Sequence, residues 1–302
     1  MKQISKLFVL VLIVALSVLA LTACGNPKDP VQRTEEDFVE FGMFPQELVS
    51  DSALRTKLTA YVTTLANNAA DYLTFTYEGT NYVRIKGVDQ GETYKFSSGE
   101  VIKEQYYFFR MLPIRWAILA ETDTEYLLLS DRLLDVQRYV STEFIEENTA
   151  AASAWETSDI RKYLNGEFIT TAFTAEEQAR LMTTKVINDQ TTTSHHIEKS
   201  ATTNDKVFLL SEFDLINNDY GFGTVAHKAD INRTALTTDF ARARGAYYSD
   251  AEGYVGAGYY WTRSPNIYGN YASVVDYNGS AIYGMQCDAS HACIRPVIRI
   301  SK

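Results

Sequence analysis

The strongest constraint on the fold of this chain is the pair Asn278-Gly279, which stands between β-forming residues at 274–275 and 281–283. Asn-Gly is the pair that tight two-residue turns prefer, so the pattern predicts a β-hairpin. A second hairpin is predicted at 72–77 and 81–85, where β-formers flank a turn containing Gly79. Paired hairpins of this kind are typical of antiparallel sheets.

Further strands are predicted at 108–119 and 126–130, which a short charged linker joins as an antiparallel pair. Another apolar strand is expected at 206–210, and a last strand at 294–300. The polar, threonine-rich stretch 183–204 reads as a long loop.

Helices are predicted where apolar residues recur at helical spacing or where a capping residue stands first. Residues 52–66 carry one apolar stripe. Ser158 is a suitable N-cap for 159–164, and Thr174 with Glu177 forms a capping-box pattern. Helices and antiparallel strands together predict an α+β fold, and we expect one domain over 38–302.

The N-terminus has the layout of a secretory signal, with Lys2 and Lys6 followed by an apolar run over 7–21. The run ends in Leu21-Thr22-Ala23-Cys24, which resembles the lipobox of bacterial lipoproteins. That resemblance implies cleavage after residue 23, diacylation of Cys24 with fatty acids such as palmitate, and anchoring at the outer face of the cell membrane. The alternatives are an uncleaved membrane helix or an ordinary signal peptide. Polar residues over 24–37 then predict a flexible tether.

Charge limits the partners that the chain can have. The 28 basic and 38 acidic residues give a net charge of −10, and loss of Lys2 and Lys6 with the signal makes it −12. Such an acidic chain is a poor partner for nucleic acid. We expect membrane contact through the lipid alone.

Two cysteines remain besides Cys24, namely Cys287 and Cys293, with His291 between them. In an oxidising compartment outside the cytoplasm a disulfide is the default prediction, and free thiols or a metal site are the alternatives. The spacing does not match structural zinc sites, so we expect no metal and no cofactor.

The order of several motifs resembles the domain of unknown function 6273, found in secreted and lipid-anchored bacterial proteins. The segments that carry the resemblance are 41–46, 113–119, 127–131, 155–165, 205–211, 260–265 and 294–296. The family has no established activity. Its C-terminal half is similar to C-type-lectin-like folds, including formylglycine-generating enzymes, which implies a fold of that type here. This chain departs from the family by an apparent insertion at 52–105 and by its cysteine pair.

Tyrosines are concentrated among glycines, serines and asparagines in the C-terminal part. This mixture is typical of binding loops, because tyrosine offers a large contact area with few rotatable bonds. The alternative is a half-buried sheet surface, in which alternate tyrosines pack inward. The candidate ligand surface consists of Tyr247, Tyr248, Tyr254, Tyr259, Tyr268, Tyr271, Tyr277 and Tyr283.

Other conspicuous residues are predicted to be structural. Trp116, Trp155 and Trp261 lie in apolar patterned runs and are expected in the core. Arg263 and Arg295 are expected to brace loops through hydrogen bonds to backbone carbonyls or a carboxylate.

The chain lacks the common hydrolase, metalloprotease and phosphate-binding motifs, so an enzyme is the less favoured class. The adjacent His195 and His196 are expected to be solvated. The leading hypothesis is a binding or adhesion protein for a carbohydrate, peptide or surface partner. The alternatives are a formylglycine-generating-type thiol and copper oxidase at Cys287 and Cys293, or an envelope assembly protein without a small ligand.

Overall fold

The computed structural model describes residues 33–194, 197, 200–281 and 283–302. The fold is mixed α/β, with mostly antiparallel strands and a few short helices. The strands are β1 Phe38–Leu48, β2 Leu73–Tyr77, β3 Thr80–Lys86, β4 Tyr106–Glu121, β5 Glu125–Ser130, β6 Asp135–Val136, β7 Thr184–Val186, β8 Thr203–Asp205, β9 Val207–Phe208, β10 Tyr260–Pro265, β11 Tyr271–Val275, β12 Tyr283–Gln286, β13 Cys293–Ile294 and β14 Val297–Ser301. The α-helices are α1 Ser52–Val62, α2 Thr142–Asn148, α3 Asp159–Leu164, α4 Glu167–Ala172, α5 Ala175–Arg180 and α6 Asp239–Ala243.

The larger sheet has seven strands, in the order β2-β3-β4-β5-β14-β9, with β1 also paired to β4. All of its pairs are antiparallel. The predicted hairpin of β2 and β3 and the predicted pair of β4 and β5 are both confirmed.

The second sheet has the order β12-β11-β10-β13-β6. The hairpin predicted around Asn278-Gly279 is confirmed as β11 and β12, which pair from Tyr271 opposite Gln286 to Val274 opposite Tyr283. Only β10 and β13, among the described strands of this sheet, run parallel to each other.

Two expectations about strands were wrong. Part of the loop predicted at 183–204 forms β7 and β8, which pair as a small antiparallel sheet. The single strand predicted at 294–300 is two strands, β13 in the second sheet and β14 in the larger one. Pro296 explains the break, because proline has no amide hydrogen with which to continue a ladder. Its carbonyl instead accepts a hydrogen bond from the Ser130 amide at 2.9 Å. The chain therefore crosses between the sheets at Arg295-Pro296.

The predicted helix starts are confirmed by their caps. Ser158 accepts a hydrogen bond from the Arg161 amide at 3.3 Å, and Thr174 forms a complete capping box with Glu177. The helix predicted at 52–66 begins at Ser52 and ends at Val62.

The main core lies between the two sheets and the short helices. A smaller core forms where α1 covers β2 and β3, around Val49, Leu58, Val62, Leu73 and Phe108. The segment predicted as an insertion therefore contributes most of a second apolar cluster, which Val49 and Phe108 complete.

Residues 33–37, the end of the predicted tether, contact the domain. Arg33 donates to the Tyr220 carbonyl at 2.5 Å, and Glu35 pairs with Arg115 at 2.7 Å. These contacts involve the last five residues of the predicted tether, and the boundary at residue 38 stays a prediction. The signal segment, Cys24 and the rest of the tether lie outside the described residues.

Candidate functional site

Four of the predicted tyrosines meet at one surface of the second sheet. The ring centroids of Tyr247 and Tyr259 are 4.6 Å apart. Tyr277 lies 6.4 Å from Tyr247, 6.2 Å from Tyr259 and 5.9 Å from Tyr254. We call Tyr247, Tyr254, Tyr259 and Tyr277 the tyrosine cluster. All four side chains are half-buried, so each ring combines a packed part with an exposed part.

Backbone hydrogen bonds hold two members of this cluster, Tyr247 and Tyr259. The Tyr247 amide donates to the His291 carbonyl at 3.0 Å, and the Cys293 amide donates to the Tyr259 carbonyl at 2.9 Å. The first bond joins the segment after α6 to residue 291, and the second joins the residue before β10 to β13. Both therefore reach the same stretch of chain. The two tyrosines are therefore set by the second sheet itself.

Tyr277 lies in the turn between β11 and β12, next to Asp276. The Asp276 carboxylate accepts hydrogen bonds from the amides of Asn278 at 3.0 Å and Ser280 at 3.2 Å. Gly279 in this turn has a φ of 81°, and a Cβ there would lie 2.1 Å from the Asp230 carbonyl oxygen. The turn that presents Tyr277 thus requires glycine at 279.

The electrostatics keep the phenols of Tyr247 and Tyr259 neutral. Burial, with Tyr247, Asp276 and Tyr277 nearby, raises the pKa of Tyr259 to about 12. Burial likewise raises the pKa of Tyr247 and that of the Asp276 carboxyl, although the two amide donors oppose the rise at Asp276. The surface therefore offers phenolic hydroxyls, which can donate or accept, beside one carboxyl group.

Asp276 was not among the residues singled out from the sequence. The available signal was its position two residues before Asn278 in the turn, where an aspartate side chain bonds the backbone two residues on. That pattern indicates a turn, but it does not reveal that Tyr277 in this turn packs near tyrosines from three other segments.

Tyr248 is a structural residue. Its ring packs 5.1 Å from that of Tyr94, and the Arg242 guanidinium lies 4.2 Å from its centroid. Its hydroxyl donates to the Thr93 carbonyl at 3.2 Å and accepts from the Lys95 amide at 2.7 Å. Tyr248 thus fastens the loop before β4 and lies outside the cluster.

The last three predicted tyrosines lie elsewhere on the second sheet. Tyr268 and Tyr271 pair with each other at 5.5 Å, at the turn between β10 and β11. Tyr283 is 53% exposed on the edge strand β12. Within the described ranges, none of these rings contacts the tyrosine cluster, so the eight candidates do not form one surface.

The expected roles of the tryptophans and two arginines are confirmed. Trp116, Trp155 and Trp261 are fully buried in the core. Arg263 donates to the Leu209 carbonyl at 2.7 Å and pairs with Asp214 at 2.6 Å. Arg295 donates to the carbonyls of Ser130 at 3.0 Å and Arg233 at 2.8 Å. Both arginines brace loops as predicted.

Cys287 and Cys293 are both buried, and the structure does not join them by the disulfide that the sequence favours. Separate contacts hold their backbones. The Cys287 carbonyl accepts from the amides of Tyr139 and Val140, whereas Cys293 pairs with Val136 in the sheet. Burial, with Asp135 nearby, raises the pKa of Cys293 well above its ordinary value. A thiolate is the reactive form of cysteine, so this site disfavours thiol chemistry.

The histidines add no chemistry to these cysteines. Burial lowers the pKa of His291, so its imidazole is neutral at pH 7. His195 and His196 lie outside the described residues. Elsewhere in the described chain, no three histidine, cysteine, aspartate or glutamate side chains converge in a way that could hold a metal ion.

The fold and the site define a mixed α/β domain with a tyrosine-lined surface on its second, five-stranded sheet. The chain belongs to the family described as domain of unknown function (DUF6273), which matches residues 123–302. The matched range starts later than the resemblance predicts, since the segments 41–46 and 113–119 precede it. It includes β5 to β14 and the whole tyrosine cluster.

Neither the curated proteins nor the solved structures contain a match to this chain. Among the helices within the described ranges, none combines the length and the apolar character needed to cross a bilayer.

Proposed function

We propose that this protein is a lipid-anchored binding protein at the outer face of the cell membrane, and that the tyrosine cluster is its ligand surface. The observation that carries the proposal is the convergence of four half-buried tyrosines, one of which, Tyr277, follows Asp276 in the chain. The anchor rests on the lipobox-like sequence before Cys24. The C-type-lectin-like fold remains part of this proposal, supported by the tyrosine-rich hairpins of the second sheet.

A carbohydrate is the ligand class that this surface suits best. The apolar faces of sugar rings stack on aromatic rings, and sugar hydroxyls donate to a carboxylate and exchange hydrogen bonds with phenols. Half-buried tyrosines lose little rotamer entropy on binding, because their neighbours already fix them. The net charge of −12 expected after signal cleavage favours a neutral or cationic glycan over an anionic one.

The thiol oxidase alternative is less well supported. Cys293 is fully buried, and the pKa of its thiol is raised. A substrate would have to reach a sulfur atom inside the core, and the thiol would have to ionise there. An assembly role without a small ligand requires instead a stable protein partner at this surface.

The proposal is tested by screening the mature chain on a glycan array and measuring the dissociation constant of the best neutral glycan by calorimetry. Tyr259→Ala should weaken binding about tenfold or more, since buried tyrosines dominate the energetics of many recognition surfaces. Tyr283→Ala is the matched control, because this tyrosine lies outside the cluster, and it should leave the affinity unchanged.

Two results would overturn the ligand surface: an array without any retained glycan, or a Tyr259→Ala protein that stays folded and binds as tightly as the wild type. Co-purification of one stable protein partner, lost in Tyr259→Ala, would favour the assembly role. Radiolabelled palmitate incorporated into the wild type but not into Cys24→Ser tests the anchor separately.

A further inference from the structure

A cavity outside the tyrosine cluster lies where the segment around β2 and β3 meets the residues after α6. Its volume is about 400 Å³. We call it the Arg244 cavity, and it is lined by Asp71, Tyr72, Ile85, Lys86, Val88 and Arg244. The Val88 amide donates to the Ala243 carbonyl at 2.8 Å, which joins the two parts of its wall.

Arg244 forms an ion pair with a buried carboxylate. Its Nε atom lies 2.5 Å from Oδ1 of Asp135, which is almost completely buried in β6. The other oxygen, Oδ2, accepts from the Tyr163 hydroxyl at 2.8 Å and from Gln137 at 3.2 Å. Asp135 also raises the pKa of Arg244. Asp135 therefore keeps the guanidinium charged, although Nε makes no hydrogen bond of acceptable geometry despite the short distance.

Several donors in this cavity have no acceptor among the described residues. The two Nη atoms of Arg244 make no hydrogen bond there, and neither does the hydroxyl of Tyr72. The Tyr72 ring packs edge-on against Phe240 at 6.4 Å, and burial raises the pKa of its hydroxyl, so it remains a donor. Lys86, which pairs with Glu104 at 2.6 Å, brings a further positive charge to the wall.

A planar guanidinium with two open Nη groups matches the two oxygens of a carboxylate, which it can bind through parallel hydrogen bonds. Both positive side chains of the wall are ion-paired, Arg244 with Asp135 and Lys86 with Glu104. Asp71 adds a further carboxylate, so a carboxylate ligand would be recognised through the open Nη groups and not through a net positive charge. We infer that the Arg244 cavity binds a small monocarboxylate, with Arg244 and Tyr72 as donors and Lys86 as a supporting charge. The site is independent of the tyrosine cluster.

The test is ligand-observed NMR on the mature protein with propionate, and with propionamide as its uncharged counterpart of similar shape. Propionate should bind with a dissociation constant on the order of 1 mM, as expected for a ligand of this size. Propionamide should bind at least tenfold more weakly. Tyr72→Phe removes one hydrogen bond to a charged group and should raise the dissociation constant about tenfold.

Lys86→Ala should weaken propionate binding about threefold, because its charge is partly exposed and paired. Lys103→Ala is the matched control, since this lysine also pairs with a glutamate but does not line the cavity, and it should bind as the wild type does. Tyr259→Ala should leave propionate binding unchanged, which separates this site from the proposed glycan surface.

The inference is overturned if propionate does not bind, if propionamide binds equally well, or if folded Tyr72→Phe and Lys86→Ala proteins both retain the wild-type affinity. Inorganic phosphate that binds at least tenfold more tightly than propionate would also overturn the assignment to a carboxylate.

Discussion

Arg233 provides the most direct test of how the loops behind the tyrosine cluster are held. The side chain is 1% exposed and donates five hydrogen bonds to backbone carbonyls. Nε donates to Gly279 at 2.7 Å, and the two Nη atoms donate to Leu215, Gly223, Val225 and Lys228 at 2.7 to 3.0 Å. One guanidinium thus joins the loop before α6 to the turn that presents Tyr277.

Arg233→Lys keeps the charge but leaves at most three donors for five carbonyls. At least two of these carbonyls then lose their donor, and since those of Val225 and Lys228 are only partly buried, we expect a loss of about 2 kcal/mol in the free energy of unfolding. Arg233→Ala would also leave the buried Asp230 carboxylate without its cation, 3.4 Å away. That loss should exceed about 5 kcal/mol, comparable with the whole stability of a marginal domain.

The assay is urea unfolding followed by tryptophan fluorescence, since all three tryptophans are buried. The denaturant slope should stay unchanged while the midpoint falls. Arg132→Lys, at an exposed position, is the matched control and should change stability by no more than about 0.5 kcal/mol. A loss below about 1 kcal/mol for Arg233→Lys would refute the argument that these carbonyls depend on the guanidinium.

Three further predictions concern the same half of the chain. Gly279→Ala should lower the free energy of unfolding in urea by at least about 3 kcal/mol. Gly253→Ala is the control, because Gly253 has the same φ of 81° but nothing within 4 Å of a Cβ, and it should cost only about 1 kcal/mol. Equal losses would contradict the close approach at 279. Native protein should resist alkylation at Cys287 and Cys293, and unfolded, unreduced protein should take up two labels by mass spectrometry; a mass two hydrogens short with no label would establish the disulfide instead. Because burial lowers the pKa of His291, the unfolded state binds its proton more readily, so this histidine's contribution to stability is complete above pH 6.5 and declines as the pH falls below it; a His291→Gln protein should lose less stability than the wild type between pH 7 and pH 5.

Local sequence signals predicted several elements of the fold, although not β7, β8 or the break at Pro296. Asn278-Gly279 predicted the hairpin of β11 and β12, and Ser158 and Thr174 predicted helix starts, because turns and caps depend on residues only a few positions apart. The three tryptophans and the bracing arginines were also predicted, since large apolar rings and multivalent donors have few favourable positions in a folded chain.

What the sequence could not determine is which distant residues meet. The eight candidate tyrosines look alike along the chain, yet only Tyr247, Tyr254, Tyr259 and Tyr277 converge, because β10, β11 and the chain after α6 bring their ends together. The sequence likewise could not show that the chain passes from one sheet to the other at Pro296, because β13 and β14 pair with strands that are distant in sequence.

The Arg244 cavity is the clearest case of a feature that only the tertiary structure decided. Tyr72 and Arg244 are separated by more than half of the chain, and no motif connects them. Sequence by itself determined the turns, caps and core residues of this protein, because those depend on local geometry and on the burial of apolar surface. The tertiary structure decided both candidate sites, because a site is a set of contacts between segments that only long-range packing brings together.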